Sequence, residues 1–295
     1  MTPAMSDQDC LKLRCNAKVN LYLDVLGRRP DGYHDIETVF HTISISDCLT
    51  VTRRESGFRL SAGSADVPRD ESNLALLAAK RLLGEGRGGV HIDLEKRIPV
   101  SAGLGGGSAD AAASMVAVNR IFGLGLTDED LLEAASEIGS DVPFLLKGGC
   151  ALGRGRGEML TQLKCLPPLC VVVVAPPLKV STRWAYESLR TGLTSRSAGS
   201  KIKTDALEGA VESLNSLLYN RFEGLVFETH PLVRRIKEGL LEAGALGALM
   251  SGSGPAVFGI FEKEGDAAEI IARFKDGGLS VYCSSFEESG VSTCS

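Results

Sequence analysis

The chain has 295 residues, with 32 basic against 37 acidic side chains and a formal net charge of −5. Its 44% apolar and 23% charged residues match an ordinary globular protein, long enough for about two domains. No basic block or aromatic-interleaved basic stripe argues for nucleic acid, and no apolar run approaches the roughly 18 residues of a membrane span.

The eight cysteines form no C-x-x-C pair and have no histidine at zinc spacing, which argues against a metal cluster. Cys15, Cys48, Cys150 and Cys170 fall in apolar or strand-like runs and read as small buried hydrophobes in a reducing cytosol. Met1-Thr-Pro-Ala-Met-Ser-Asp7 has no basic region followed by an apolar stretch, so a cytoplasmic location is expected.

From Lys12 to Val25 apolar and polar residues alternate, which predicts a β-strand. Leu13, Cys15, Ala17, Val19, Leu21, Leu23 and Val25 share one face; Lys12, Arg14, Asn16, Lys18, Asn20, Tyr22 and Asp24 share the other. Pro30-Asp31-Gly32 marks a turn before strands at Ile36–Ile45 and Cys48–Thr52. Ser72–Leu83 is helical in pattern, with Leu74, Leu77, Ala78 and Arg81 on one face, and Val90–Leu94 alternates again. That strand leads into Pro99-Val-Ser101-Ala102-Gly103-Leu104-Gly105-Gly106-Gly107-Ser108-Ala-Asp110, with a helix opening near Ser108 and stopping at Gly123.

Thr127-Asp-Glu-Asp130 resembles a capping box for a helix reaching Ile138, and Leu169–Ala175 is a buried strand ended by Pro176-Pro177. Thr191–Lys203, rich in Ser, Thr, Gly and Lys, is an excursion that matches no motif. Helices at about 205–219 and 232–243 and a strand near Ala248 lead to a second glycine turn, Ser251–Gly254. A strand at Val257–Phe261, a helix at Asp266–Phe274 and a short strand at Ser280–Cys283 close the pattern. Strands and helices mix without strict alternation, which favours an α+β fold.

The first glycine stretch carries the most information. Residues without a Cβ let backbone N–H groups close on an anion, and the following helix adds its unpaired first-turn donors and positive dipole end. It is not a P-loop, since Gly107 runs into Ser108 without a lysine, and it lacks the third glycine and the distant acidic residue of the dinucleotide fingerprint.

Three further segments could carry chemistry. Lys18 and Asn20 project together from the strand, although an isolated strand lysine is usually a solvated residue. Asp141, in Gly139-Ser-Asp-Val-Pro-Phe144, either caps the next turn or accepts a proton from a substrate hydroxyl during phosphoryl transfer. The Ser251-Gly252-Ser253-Gly254 turn is either an ordinary hairpin or a flap over a substrate.

Together, Lys18-Val-Asn20-Leu-Tyr-Leu, the Pro99–Ser108 loop and Ser251-Gly-Ser-Gly-Pro-Ala256 resemble the three ordered motifs of the galactokinase, homoserine kinase, mevalonate kinase and phosphomevalonate kinase superfamily. Arg28-Arg-Pro-Asp-Gly-Tyr-His34, Gly139–Phe144 and Gly153-Arg-Gly-Arg-Gly-Glu158 narrow the resemblance to the branch acting on a cytidine diphosphate-linked methylerythritol in the non-mevalonate isoprenoid pathway. The resemblance implies a two-domain kinase. Its N-terminal domain (1–167) would resemble domain 2 of ribosomal protein S5, its C-terminal domain (168–295) would be ferredoxin-like, and the active site would lie in the cleft between them.

It implies ATP as donor to the substrate's 2-hydroxyl, with Mg²⁺, a small-molecule partner, no nucleic acid or membrane, and a monomer or homodimer. Lys18 and Asp141 match the catalytic pair. Pro99, Ser101, Ala102, Gly103, Leu104, Gly105, Gly106, Gly107 and Ser108, with Asn73, match the ATP site, and Ser108 is the candidate metal contact. Asn73 reads equally as a helix cap. Asn20, Tyr33, His34, Arg156, Tyr186 and Ser251–Gly254 match the substrate site, with Tyr33, His34 and Tyr186 holding cytosine and Arg156 near the diphosphate. The resemblance leaves two other outcomes, a homoserine- or mevalonate-type kinase and a non-catalytic nucleotide sensor of the same fold.

Overall fold

The computed structural model describes residues 9–84, 86–189 and 214–294. The Thr191–Lys203 excursion, and the expected helix from 205 up to residue 213, lie outside these. The framework is one antiparallel pair, β1 (Cys10–Arg28) and β2 (His34–Arg54), of 19 and 21 residues. The two strands expected at Ile36–Ile45 and Cys48–Thr52 are one, because the pairing passes through Ser46-Asp47 with a register shift at Asn16/Ala17.

The alternation of β1 does not run unbroken. A second register shift leaves Leu21 between the paired residues Asn20 and Tyr22, and this reverses the parity of the strand. Leu13 through Leu21 and then Tyr22 enter the larger core, whereas Leu23 and Val25 enter a second one. The expected polar face is exposed at Lys12 and Arg14 but not solvated from Asn16 onward, since every residue from Cys15 to Val25 is buried.

The first part of the chain continues with β3 (Gly57–Ala62), α1 (Leu74–Leu83), β4 (Gly89–Glu95), α2 (Gly106–Ile121), α3 (Asp128–Ile138), α4 (Val142–Lys147), β5 (Cys150–Arg154) and β6 (Met159–Leu163). α1 buries Ala75, Leu76, Ala78, Ala79 and Leu83 and leaves Leu77 exposed, so its packed face is rotated from the expected stripe. Alanines on both α1 and α2 let the helices approach closely, and Ser114 Oγ donates to the Ala75 carbonyl across the contact at 2.8 Å. The capping box of α3 is formed, with Thr127 N donating to Asp130 at 2.8 Å and Asp130 N to Thr127 Oγ1 at 3.2 Å.

The second part holds β7 (Cys170–Ala175), α5 (Thr182–Ser188), α6 (Leu214–Leu217), β8 (Tyr219–Asn220), α7 (Glu223–Thr229), α8 (Pro231–Glu242), β9 (Gly247–Met250), β10 (Val257–Phe261), α9 (Ala268–Asp276), β11 (Ser280–Glu287) and β12 (Val291–Thr293). Tyr219, expected to end a helix, instead pairs with Tyr22 in parallel, and the helix stops at Leu217. The sheet order β11-β7-β10-β9, entered through the sequence β7, helices, β9, β10, helix, β11, is the split βαβ arrangement of ferredoxin-like domains. β7 is apolar throughout because both its faces are covered: Val171 and Val173 belong to the larger core, Val172 and Val174 to the second.

β11 joins the two sheets. Its first six residues pair with β7, and Phe286 and Glu287 pair with Ile43 and Thr42 of β2, so the strand runs beyond the expected end at Cys283. Cys15, Cys150 and Cys170 are buried as expected; Cys48 is half-buried, its Sγ 3.4 Å from that of Cys294. Among the described residues no helix is long and apolar enough to cross a membrane.

His41 sits fully buried on β2 beside Phe286, their rings 4.4 Å apart. Nδ1 lies 3.0 Å from the Thr42 carbonyl and Nε2 accepts from Leu166 N at 3.1 Å, a pattern met by the neutral ring alone. Burial lowers its pKa to about 4, although the Thr42 carbonyl favours the charged ring. The unfolded chain therefore takes up a proton first as pH falls, so stability is full above about pH 6.5 and drops toward pH 4 by up to about 3 kcal/mol. His41→Gln, which can make both contacts without titrating, is expected to lose that part of the slope in denaturant titrations. An unchanged slope assigns the acid sensitivity to other groups.

Candidate active site

A cleft of about 1150 Å³ opens along the polar side of β1. Its floor is the loop from Pro99 to Gly105, which runs into the first turn of α2 at Gly106, two residues before the expected start. Gly103 and Gly105 take positive φ of 83° and 72°, whereas Gly106 and Gly107 are already helical. Ser101, with φ of 56°, adopts the left-handed region as well. Every residue from Pro99 to Ser108 lines the cleft, and α2 presents its first turn there with no side-chain cap.

The second glycine turn locks onto the first. Ser251 Oγ donates to the Gly103 carbonyl at 2.9 Å and Ala256 N to the Ala102 carbonyl at 3.2 Å. A Cβ on Gly103 would lie 2.1 Å from the Ser251 carbonyl oxygen, so only glycine allows this approach. Gly252 and Ser253 reach the cleft. Ser251 and Gly254 do not line it, and their role in this geometry is to hold the turn. Asn220 fixes the same turn by donating to the Met250 and Gly252 carbonyls at 2.7 and 2.8 Å.

Opposite the loop, β1 delivers Lys18. The residue is 3% exposed, and its ammonium lies 5.4 Å above the Phe40 ring, donates to Asn20 Oδ1 at 2.7 Å and stands 3.4 Å from Asp141 Oδ2. Asn20 is in turn oriented by Thr38, to which it donates at 2.8 Å, so its amide is engaged mainly in holding Lys18. Asp141 occupies the cap position of α4 without making a side-chain cap bond, which leaves its carboxylate to Lys18 and the cleft. Lys18 N also donates to the Leu104 carbonyl at 3.0 Å, fixing the loop against the strand.

At the far end, the turn before β2 brings Tyr33 and His34 to the cleft. The His34 and Tyr186 rings stand 5.0 Å apart at 33°, and Tyr186 meets Phe222 edge-on at 4.9 Å. Burial, helped by Arg28, lowers the His34 pKa and keeps its imidazole neutral. Burial and nearby Asp141 raise the Tyr186 phenol, which therefore stays protonated. The Arg156 guanidinium covers the half-exposed Tyr33 ring at 5.0 Å. Asn73 lines the cleft but works as a cap, accepting from Ala75 N at 2.9 Å and donating to the Pro68 carbonyl at 2.8 Å.

Lys96, Asp47 and Asp110 were not anticipated as part of this region. Asp110 and Lys96 both line the cleft, and Lys96 Nζ bridges Asp110 at 2.7 Å and Asp47 at 2.5 Å. Among the described residues, the cluster of potential metal ligands formed by Cys15, Asp47 and Asp110 thus already holds the ammonium of Lys96. Among the side-chain oxygens that line the cleft are those of Ser108 and Asp141 beside the glycine loop, a pair that would suit a Mg²⁺ ion keeping waters and phosphate oxygens as its other ligands.

Residues 73–149 match the GHMP kinases N terminal domain and residues 202–278 the GHMP kinases C terminal domain. A 4-diphosphocytidyl-2-C-methyl-D-erythritol kinase of Pelotomaculum thermopropionicum is 45% identical over 88% of this chain and 92% of its own length. The enzyme of that name from Geobacter metallireducens is also 45% identical, over 87% and 91%. A crystal structure of 4-(cytidine 5'-diphospho)-2C-methyl-D-erythritol kinase superposes with a TM-score of 0.80 at 35% identity, covering 94% of this chain and 99% of that one. A homoserine kinase of Cytophaga hutchinsonii, 22% identical with a TM-score of 0.76 over the whole of both chains, shares the fold. With two family domains in order, relatives this similar over nearly their full length and the same architecture, the chain belongs to the GHMP kinase family, among the 4-diphosphocytidyl-2-C-methyl-D-erythritol kinases.

Proposed function

We propose that the protein transfers the γ-phosphoryl group of ATP to the 2-hydroxyl of 4-diphosphocytidyl-2-C-methyl-D-erythritol. The observation that carries this is the Lys18–Asp141 pair, 3.4 Å apart and facing the glycine loop, with the His34–Tyr186 pair farther along the same cleft. The loop amides and the first turn of α2 would receive the ATP phosphates, and Asn73 would lie near the adenosine. Mg²⁺, held by Ser108 and phosphate oxygens, would supply neutralisation of the phosphate charge.

A tertiary alcohol is a weak acid, so Asp141 orients the hydroxyl and accepts its proton late, as the oxygen–phosphorus bond forms in a loose transition state. Lys18, 3.4 Å from that carboxylate, offsets negative charge on the transferred group. The neutral His34 meets one donor–acceptor edge of cytosine, Tyr33 and Tyr186 offer stacking faces, and Arg156 answers the diphosphate with its planar fork. Gly252 and Ser253 would border the acceptor, with Ser251 and Gly254 holding their turn. Division of the chain at 167/168 is supported by the predominance of each part in one core, although Leu23, Val25 and Ile36 join the second core, Val171 and Val173 join the larger one, and β12 returns to pair with β1.

Purified protein should turn over ATP with the cytidyl substrate and not with homoserine or mevalonate; turnover of either comparator instead overturns the assignment. Asp141→Ala is expected to lower kcat by at least about a hundredfold with ATP affinity nearly unchanged, since the carboxylate acts on the acceptor hydroxyl. Wild-type kcat in that variant removes Asp141 from the chemistry. His34→Ala should raise KM for the cytidyl substrate about tenfold or more, a loss of over 1 kcal/mol of binding, while KM for ATP stays constant. Equal rises in both constants would point to general damage to the cleft.

A further inference from the structure

Both ends of the phosphate loop are fastened to one buried charge cluster. At the entrance, Asp47 Oδ1 of β2 accepts the backbone N–H groups of Arg97 and Ile98 at 2.6 and 2.8 Å. Its other oxygen receives Lys96 Nζ at 2.5 Å. At the exit, the same ammonium reaches Asp110, one turn into α2, at 2.7 Å. A Cβ built on Gly106, where the loop becomes helix, would lie 2.9 Å from Lys96 Nζ. A cation beside the positive end of a helix is unfavourable by itself, and the two carboxylates offset it. Asp47 is fully buried, Asp110 4% exposed and the Lys96 side chain 7% exposed, so water screens this exchange little.

We propose that Lys96, Asp47 and Asp110 form a clasp that sets the distance between the two ends of the glycine loop and thereby the affinity for ATP, with Asp110 a positioning residue acting through Lys96. This rests on the glycine loop being the ATP site. The loop spans the gap from Ile98 to Gly106, and Lys96 bridges that gap through the side-chain bonds just described, so loosening the clasp widens the cradle without touching Lys18 or Asp141.

The titratable groups in contact with Asp110 are Cys15 on β1, Asp47 on β2 and Lys96 beyond β4; α1, packed on α2, meets it through Ala75 and Ser114. Burial pushes Asp110 up to about 7, against the pull of Lys96 and with Asp47 adding to the rise. Cys15 is held as the thiol by burial, then by Asp110 and Asp47.

The test compares wild type with Asp110→Asn at one pH, measuring kcat and both KM values with saturating Mg²⁺. The variant is expected to raise KM for ATP about tenfold while kcat and KM for the cytidyl substrate stay within about twofold. Wild-type KM for ATP in folded Asp110→Asn overturns the clasp. Should that variant fail to fold, Lys96→Arg, whose wider head cannot meet both carboxylates at the same distances, is expected to show the same split, and wild-type constants there overturn the proposal. A wild-type protein that binds no ATP overturns the ATP assignment and the clasp with it, whereas ATP binding that neither variant weakens overturns the clasp alone.

Discussion

The pairing of β1 with β2 is the constraint on which the rest depends. Over its length this ladder carries the inner faces of both cores, receives β4 and β5 on β2 and β8 and β12 on β1, and sets Lys18 and Asn20 opposite Thr42 and Phe40. The bulge at Leu21 is what lets one strand serve two cores, because it reverses the facing of the side chains that follow. Removing it would leave Lys18 in place but turn Leu23 and Val25 toward the wrong side. The position of the site is thus inherited from sheet register, and the aromatic pair Phe40–Phe144, stacked at 4.8 Å beneath Lys18, fixes the height of the ammonium above that register.

The electrostatic design is local. In a chain of net charge −5, Lys18 faces Asp141, Lys96 faces Asp47 and Asp110, and Arg156 faces Glu158 at 3.6 Å. Lys18, Lys96 and Arg156 are therefore each held by a carboxylate partner, so that on the proposed reading a phosphate would meet groups already oriented. Such pairing also keeps the cleft from becoming a strong nonspecific anion trap.

Much of this was legible in the chain, and the exceptions have physical reasons. The glycine loop, the shared face of Lys18 and Asn20, the capping box at Thr127 and the valine strand all follow from local rules, since each depends on residues near one another in sequence. The Leu21 bulge depends on a partner strand and leaves no mark in the alternation. The extension of β11 to Glu287 depends on β2, more than 240 residues earlier. Lys96 lies among ordinary charged residues, and nothing in its spacing announces Asp47 and Asp110 as its partners. Asp141 was balanced between cap and base on sequence; the missing cap bond tips it toward the cleft.

The two glycine turns come from opposite halves of the chain yet share the Ser251–Gly103 and Ala256–Ala102 bonds, at a spacing no Cβ would tolerate. They cannot slide past one another without breaking both. This seam, together with β11 pairing on both β2 and β7, ties the two parts of the chain at the loop end of the cleft, whereas Tyr33 under Arg156 lies away from it. On the proposed reading, a bound nucleotide would therefore rest on the part of the cleft where both halves of the chain are bonded together, and the cytidyl group on a part that each half lines separately.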